Sequence, residues 1–347
     1  LFDRDATQAF RALAGRREDE EPPEKSAERF FRDLRDLFLG FIFKLSPARR
    51  LLFTVSLLCP LLGFFAVDTS FGPTHIYLDF APFWFLVSVA GLVLLLALEL
   101  VDRLRVRDEM EVARQLQSDL LPQSLPPIPG YRIAHSYRTA NAIGGDYYGF
   151  HPLGDGRVAI ACGDASGHGM AAGLLMAIAN ATLAAAIDAD PHPSAVLDAV
   201  HRTLARTGGR RAFMTLFYGV LDPSSGRLDY ANAGHPFPIV RRAGGEIEEL
   251  GSGALPLGVR AENSAYRTQT AELRPGDLLV LYSDGIPEAV SPAGEDFGFD
   301  RLHRLVLQGG SADSIHDRIL GEVKAHLEDL DLQDDVTLVV LDRVSSA

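Results

Sequence analysis

At 347 residues the chain exceeds a single average domain, and its formal net charge of −13 excludes a general binder of nucleic acid, which leaves proteins, metals and membrane as partners. Its two cysteines, Cys59 and Cys162, lie far apart in unlike surroundings, so neither a disulfide framework nor a CxxC metal site is available and any metal must rest on oxygen ligands. The first residue is Leu1 rather than Met, which leaves room for native sequence upstream, a removed signal peptide included.

Residues 1–26 are polar, with Glu18, Asp19, Glu20, Glu21, Pro22 and Pro23 in one run, and read as a solvated, disordered segment. Over 27–45 the residues Phe30, Phe31, Leu34, Leu37, Phe38 and Phe41 recur at helical spacing opposite Arg32, Arg35 and Asp36. That pattern predicts an amphipathic helix, lying at a membrane surface or packed on another domain. Two apolar stretches follow: 51–67, interrupted by Pro60, and 80–98, with the run Leu92-Val93-Leu94-Leu95-Leu96. At 1.5 Å per residue each covers roughly 25 to 30 Å, the thickness of a bilayer's hydrocarbon core. Lys44, Arg49 and Arg50 precede the first stretch, Arg103, Arg105 and Arg107 follow the second, and the loop 68–79 holds no Lys or Arg. The positive-inside rule then places both ends in the cytoplasm, which predicts a multi-pass protein of the cytoplasmic membrane. Residues 99–121 contain no Pro or Gly and set Val106, Met110, Ala113, Gln117 and Leu120 on a heptad seam. The seam fits a signalling helix that pairs with a second copy, or one docked on its own domain. Pro122, Pro126, Pro127 and Pro129 end it in a linker.

Beyond the linker, 131–139, 146–153 and 157–162 read as strands, with Asp155-Gly156 as a turn. Helices are expected at 169–187 and 194–206, strands at 213–221, 227–232, 237–241 and 278–282, helices at 300–307 and 315–327, and a strand at 336–342. Strands and helices without strict βαβ alternation predict an α+β domain with a largely antiparallel sheet system. The chain thus divides into a polar and amphipathic segment 1–46, two transmembrane helices in 47–101, a linker and signalling helix 102–129, and a catalytic domain 130–347.

The chemistry is carried by aspartates at predicted strand ends, each beside small residues: Gly144-Gly145-Asp146, Gly163-Asp164-Ala165, Ser283-Asp284-Gly285 and Asp334-Asp335-Val336-Thr337. A single Asp before Gly is a common turn residue. Four such loops without His or Cys suit Mg2+ or Mn2+ rather than Zn2+. Two such ions about 3.5 to 4 Å apart can share a water, lower its pKa and clamp an in-line phosphoryl displacement without a protein nucleophile.

Several stretches, in this order, resemble the SpoIIE/RsbU-type branch of the PPM (PP2C-like) serine/threonine protein phosphatases. They are 113–122 (ARQLQSDLLP), 143–148 (IGGDYY), 163–169 (GDASGHG), 215–222 (TLFYGVLD), 230–236 (YANAGHP), 276–288 (GDLLVLYSDGIPE) and 334–339 (DDVTLV). The resemblance implies a PP2C-like α-β-β-α sandwich: two mostly antiparallel sheets flanked by helices, here behind a two-helix transmembrane hairpin. It implies two Mn2+ or Mg2+ ions, held by Asp146 and Asp164 with the Ala165 backbone carbonyl and completed by Asp284 and Asp334, with Asp335 as the other member of its pair. The reaction implied is hydrolysis of phosphoserine or phosphothreonine on a regulatory protein, such as a STAS-type anti-sigma factor antagonist, by a metal-bridging water. In many such enzymes the metal-binding Asp is followed directly by Gly and His, whereas Ala165, Ser166 and Gly167 separate Asp164 from His168 here, so a structural loop role suits His168 better than general acid. No arginine corresponds to the phosphate-binding one of eukaryotic members, although Arg138 is near Asp146 in sequence. Asn232, Gly234 and His235 form a turn that either shapes the chain or borders the site.

Other classes fit less well. Gly144-Gly145-Asp146 is followed by Tyr147 where a diguanylate cyclase needs an acid, and Asp164-Ala165-Ser166-Gly167-His168 lacks the G-x-S-x-G elbow of a serine hydrolase. The alternative from a different class is a catalytically silent membrane receptor or scaffold that keeps the fold to bind a partner.

Overall fold

A computed structural model describes residues 35, 42–43, 45–62, 67–71, 74–122, 124–207, 212–251, 253–259 and 266–344, which form two compact units, Leu1–Asp108 and Glu109–Ala347. The polar segment 1–26 and nearly all of the amphipathic helix expected over 27–45 lie outside the described residues.

In the first unit, α1 (Pro47–Leu62) and α2 (Ala81–Leu120) flank an antiparallel pair, β1 (Val67–Phe71) with β2 (Thr74–Leu78). This hairpin replaces the loop expected over 68–79. Small side chains let the two helices approach closely: Ser56, Cys59 and Ser88 are buried, and a Cβ at Gly91 would overlap the Ser56 hydroxyl. Arg49 bonds Glu99 at 3.3 Å and Asp102 at 2.7 Å, so the start of α1 lies beside the middle of α2. Outside this seam the apolar side chains face outward, with Leu51, Phe85, Leu86 and Leu96 each more than three-fifths exposed. Such a surface is stable against lipid and costly in water. Helix α2 is long and apolar enough to cross a membrane. With 16 residues α1 spans about 24 Å, short of a bilayer core of about 30 Å. No break separates the expected second span from the signalling segment; α2 continues through both.

The second unit holds β3 (Tyr131–Arg138), β4 (Asp146–Pro152), β5 (Val158–Ala165), α3 (Met170–Ala189), α4 (Pro193–Thr207), β6 (Met214–Leu221), β7 (Arg227–Ala233), β8 (Ile239–Arg241), β9 (Ile247–Glu249), β10 (Gln269–Glu272), β11 (Leu278–Tyr282), α5 (Phe299–Leu307), α6 (Ala312–Leu327) and β12 (Val336–Arg343). They form two antiparallel five-stranded sheets, ordered β10-β7-β6-β5-β4 and β3-β12-β11-β8-β9. Strands β9 and β10 escape sequence reading because they are short edge strands with polar, half-exposed faces.

Period-two alternation on apolar strands gives the second sheet two buried faces. Leu279 and Leu281 of β11 and Val339 and Leu341 of β12 join the core shared with the first sheet, while Leu278, Val280, Leu338 and Val340 join the core beneath α5 and α6. Helices α3 and α4 cover the first sheet, and their Met176, Leu183, Val196 and Leu204 belong to the same core as β5 and β6. Helix α3 is apolar enough to pass for a membrane span, yet Ala172, Met176 and Leu183 are buried in this core. The architecture is therefore helix, sheet, sheet, helix, as the α+β reading of the sequence anticipates. Truncation of Leu281, fully buried between the sheets, to Ala should lower the unfolding free energy by about 3 kcal/mol, read as a shift in denaturation midpoint.

Candidate metal centre

Strand pairing brings the aspartates together. Asp146 opens β4 and stands directly across from Asp164 near the end of β5, so the two side chains share one face of the first sheet. In the second sheet, the end of β11 lies beside the start of β12, with Tyr282 opposite Leu338. Asp284 follows β11, and Asp334 and Asp335 precede β12. Ser283 latches these loops: its hydroxyl donates to the Asp335 carbonyl at 3.1 Å and accepts the Thr337 amide at 2.9 Å. Gly285 is required because a Cβ there would collide with the Asp335 carbonyl oxygen.

Two hydrogen bonds tie the sheets at this end. Thr337 on β12 donates its hydroxyl to Asp146 at 2.6 Å, and the Gly145 amide donates to Asp335 at 2.6 Å. The second Asp335 oxygen accepts the Ala140 amide at 2.8 Å. Asp335 is thus buried with both oxygens engaged by backbone, whereas Asp334 is exposed and accepts the Asp335 amide on Oδ1 at 2.8 Å. The Ala165 carbonyl lies against the same loop, since a Cβ at Gly145 would approach it to 2.7 Å and Asp164 Oδ1 to 2.9 Å.

Burial, then the charge of Asp164, pushes the Asp146 carboxyl well above the usual range. Burial, then Asp284, Asp334 and Asp335, does the same to Asp164. Asp284 rises to about 6 through burial and the neighbouring Asp334 and Glu288. Among the described residues no Lys or Arg forms an ion pair with Asp146, Asp164, Asp284 or Asp334. Cys162 is fully buried and its thiol is pushed up by burial and by Asp146, which leaves it a protonated core residue and no nucleophile.

Among the described residues no three His, Cys, Asp or Glu groups form a ready coordination cage. The donor set still fits hard divalent cations of the Mg2+ type, which keep several waters and take only one or two carboxylates each. Carboxylates that repel one another at short range are relieved by such a cation and by little else in this site.

His168 is exposed in the turn between β5 and α3, where Gly167 and Gly169 take φ of 95° and 67°. Arg138 is exposed at the end of β3, opposite Val336. Asn232 and His235 close the Asn-Ala-Gly-His-Pro turn on each other, with Asn232 Nδ2 donating to the His235 carbonyl at 3.0 Å and the His235 amide to Asn232 Oδ1 at 2.8 Å. Buried His235, held near 3 by desolvation and hence neutral, bonds Thr215 through Nδ1 at 3.0 Å, and Thr215 accepts the Asp164 amide at 3.3 Å. The turn therefore shapes the chain and also braces the Asp164 strand. Sequence reading missed Thr337, Ser283 and Thr215 as supporting groups, although each stands within or beside a motif that carries an aspartate. Beside Asp284 opens a groove of about 530 Å³ lined by Pro236, Phe237, Ala254, Tyr282, Glu288 and Phe299.

Two antiparallel sheets flanked by helices, with acidic loops gathered at one end, make a PP2C-like fold. Over 70% of its length the chain matches the SiaA-PP2C domain of Pseudomonas aeruginosa, covering 99% of that domain with a TM-score of 0.62 at 20% identity. The chain belongs to the family of Stage II sporulation protein E (SpoIIE), which its residues 154–344 match. It is 29% identical over 277 residues to Protein IcfG of Synechocystis sp., a stretch of 72% of this chain and 43% of IcfG, and so spans less than half of that relative. To the phosphoserine phosphatase RsbU of Bacillus subtilis it is 28% identical over 244 residues, 69% of this chain and 71% of RsbU.

The two members of the Asp pair should separate on stability. Asp335→Ala leaves the Ala140 and Gly145 amides unsatisfied and should cost on the order of 2 to 4 kcal/mol of unfolding free energy, whereas exposed Asp334→Ala should cost less than about 1. Thermal or denaturant unfolding of both variants checks this.

Proposed function

We propose that the chain is a metal-dependent protein phosphatase that removes phosphate from serine or threonine of a regulatory protein, with a STAS-type anti-sigma factor antagonist as the substrate class. The observation that carries this reading is the mutually repelling cluster of buried Asp146, half-buried Asp164 and Asp284 and exposed Asp334, contributed by both sheets and unpaired with any described Lys or Arg. These residues, with the Ala165 carbonyl, would hold two Mn2+ or Mg2+ ions. Bound there, the cations supply the charge neutralisation and activated water that phosphomonoester hydrolysis demands. Asp335, which the sequence left open as a ligand, is assigned the organisation of the Gly145 loop. The protein's own groups orient the carboxylates: Thr337 fixes Asp146, Ser283 fixes the Asp284 and Asp335 loops, and Thr215 with His235 fixes the Asp164 strand. The groove beside Asp284, with aromatic and apolar walls, suits an extended peptide whose phosphorylated side chain reaches the carboxylates.

The membrane reading rests on the exposed apolar faces of α1 and α2 and on the cytoplasmic side marked by Lys44, Arg49, Arg103, Arg105 and Arg107. The proposed organisation is a lead-in at 1–46, a membrane hairpin at 47–101, a linker at 102–129 and a cytoplasmic catalytic domain at 130–347. Pairing of two copies along 99–121 is supported by exposed Val101, Leu104, Val112 and Leu116 on α2.

Hydrolysis of p-nitrophenyl phosphate and of a phosphoserine peptide should require Mn2+ or Mg2+ and should fall at least 100-fold in Asp164→Ala and Asp284→Ala. Equal, metal-independent rates in wild type and variants would leave the scaffold reading in place. Raised carboxyls hold protons that a cation displaces, so Mn2+ affinity should strengthen as pH rises from about 6 for Asp284 to about 8 for Asp164, with proton release seen by calorimetry in buffers of different ionisation enthalpy. After cell fractionation the full chain should sediment with membranes and resist extraction at high pH.

A further inference from the structure

Helix α2 approaches its end with exposed Val112 and Leu116, 61% and 63% accessible, but one residue breaks the pattern: Gln117 is 7% accessible. Its side-chain amide faces the peptide groups of Gly144. Gln117 Oε1 accepts the Gly144 amide at 3.0 Å, and Gln117 Nε2 donates to the Gly144 carbonyl. A primary amide has one donor side and one acceptor side, so it can close both ends of one residue's backbone as a neighbouring strand would. The polarity of Gly144 itself fixes which way the amide points.

At the point that Gln117 grips, Gly144 and Gly145 have no side chains with which to hold the loop. A Cβ at Gly144 would collide with the Asp335 carboxylate and the Tyr137 hydroxyl, and Gly173 of α3 packs its bare α carbon against Ile143. On the far side the next amide, Gly145, is held by Asp335. Asp146 follows immediately. Its backbone position therefore depends on where Gln117 and Asp335 place the two preceding peptides, and Thr337 then orients its carboxylate.

We propose that Gln117 is a positioning residue that, through its two hydrogen bonds to Gly144, sets the place of Asp146 and hence the affinity of the site for divalent cations. The proposal rests on the metal-centre reading above. Groups that orient a metal ligand typically change affinity 10- to 100-fold when removed.

The test uses the full chain in detergent, with Mn2+ binding measured by calorimetry and melting temperature measured with and without Mn2+. Gln117→Leu removes both hydrogen bonds while keeping a branched side chain of similar bulk, one bond shorter, and Gln117→Glu keeps an acceptor for the Gly144 amide but loses the donor. Arg114→Ala, on the exposed side one turn away, is the control. The expected result is Mn2+ binding weakened at least 10-fold in Gln117→Leu and by less in Gln117→Glu, with the control unchanged. Turnover of Gln117→Leu should return to near the wild-type kcat at saturating Mn2+. Wild-type affinity in both Gln117 variants, or a drop in melting temperature that is equal with and without Mn2+ at unchanged affinity, overturns the proposal and leaves Gln117 as an anchor of the helix. Should wild type take up no Mn2+, the metal-centre reading itself falls and this proposal falls with it; binding in wild type with no effect of Gln117 removes this proposal alone.

Discussion

Carboxylates forced to share a buried corner repel one another, and much of the second unit is arranged to keep them there. Two sheets that each bury apolar residues against a common core must lie face to face, and their loops at one end then meet. Asp146 and Asp164 arrive from one sheet, Asp284 and Asp334 from the other. The core residues Leu281, Val339, Ile160 and Phe217 supply the attraction that offsets the repulsion. The hydroxyls of Thr337 and Ser283 beside Asp146 and the amides donated to Asp335 spread what charge remains, while Thr215 holds the Asp164 backbone.

Much of this was legible in the sequence, for physical reasons that differ from one element to another. The fully buried strand β11 is an unbroken apolar run, Leu278-Leu279-Val280-Leu281-Tyr282, and such a run announces itself. The aspartate loops stood out because Gly and Ser beside an acid at a strand end are compatible with tight backbone approach, and Gly285 and Gly145 do make such approaches. Strands β9 and β10 were missed because Ile247-Glu248-Glu249 and Gln269-Thr270-Ala271-Glu272 have too little apolar alternation to stand above the loops. The hairpin of β1 and β2 was hidden by its position between two apolar stretches, where length and charge dominate the reading. The division of labour between Asp334 and Asp335 could not be read from two identical side chains in succession. It depends on which of them meets the amides of Ala140 and Gly145, groups nearly two hundred positions away in the chain.

Helix α2 links matters that the sequence treated separately. Its N-terminal part is an apolar rod with lipid-compatible sides, and its last turns are polar, yet it runs unbroken from Ala81 to Leu120, with Pro82 in its first turn and Gly91 against Ser56. The heptad seam mixes two surfaces. Gln117 is spent on the helix's own domain, while Val106 and Leu120 remain exposed.

The strand β12 sits between β3 and β11 in the middle of the second sheet, although it is encoded after every other strand of the site. Ribosomes deliver it last. Until it inserts, β3 and β11 have no partner between them, Asp146 lacks the Thr337 hydroxyl, the Gly145 loop lacks Asp335, and Asp334 is absent. A nascent or prematurely terminated chain can thus collapse around the first sheet without assembling the acidic corner. The order of synthesis delays assembly of the acidic corner until β12 has inserted.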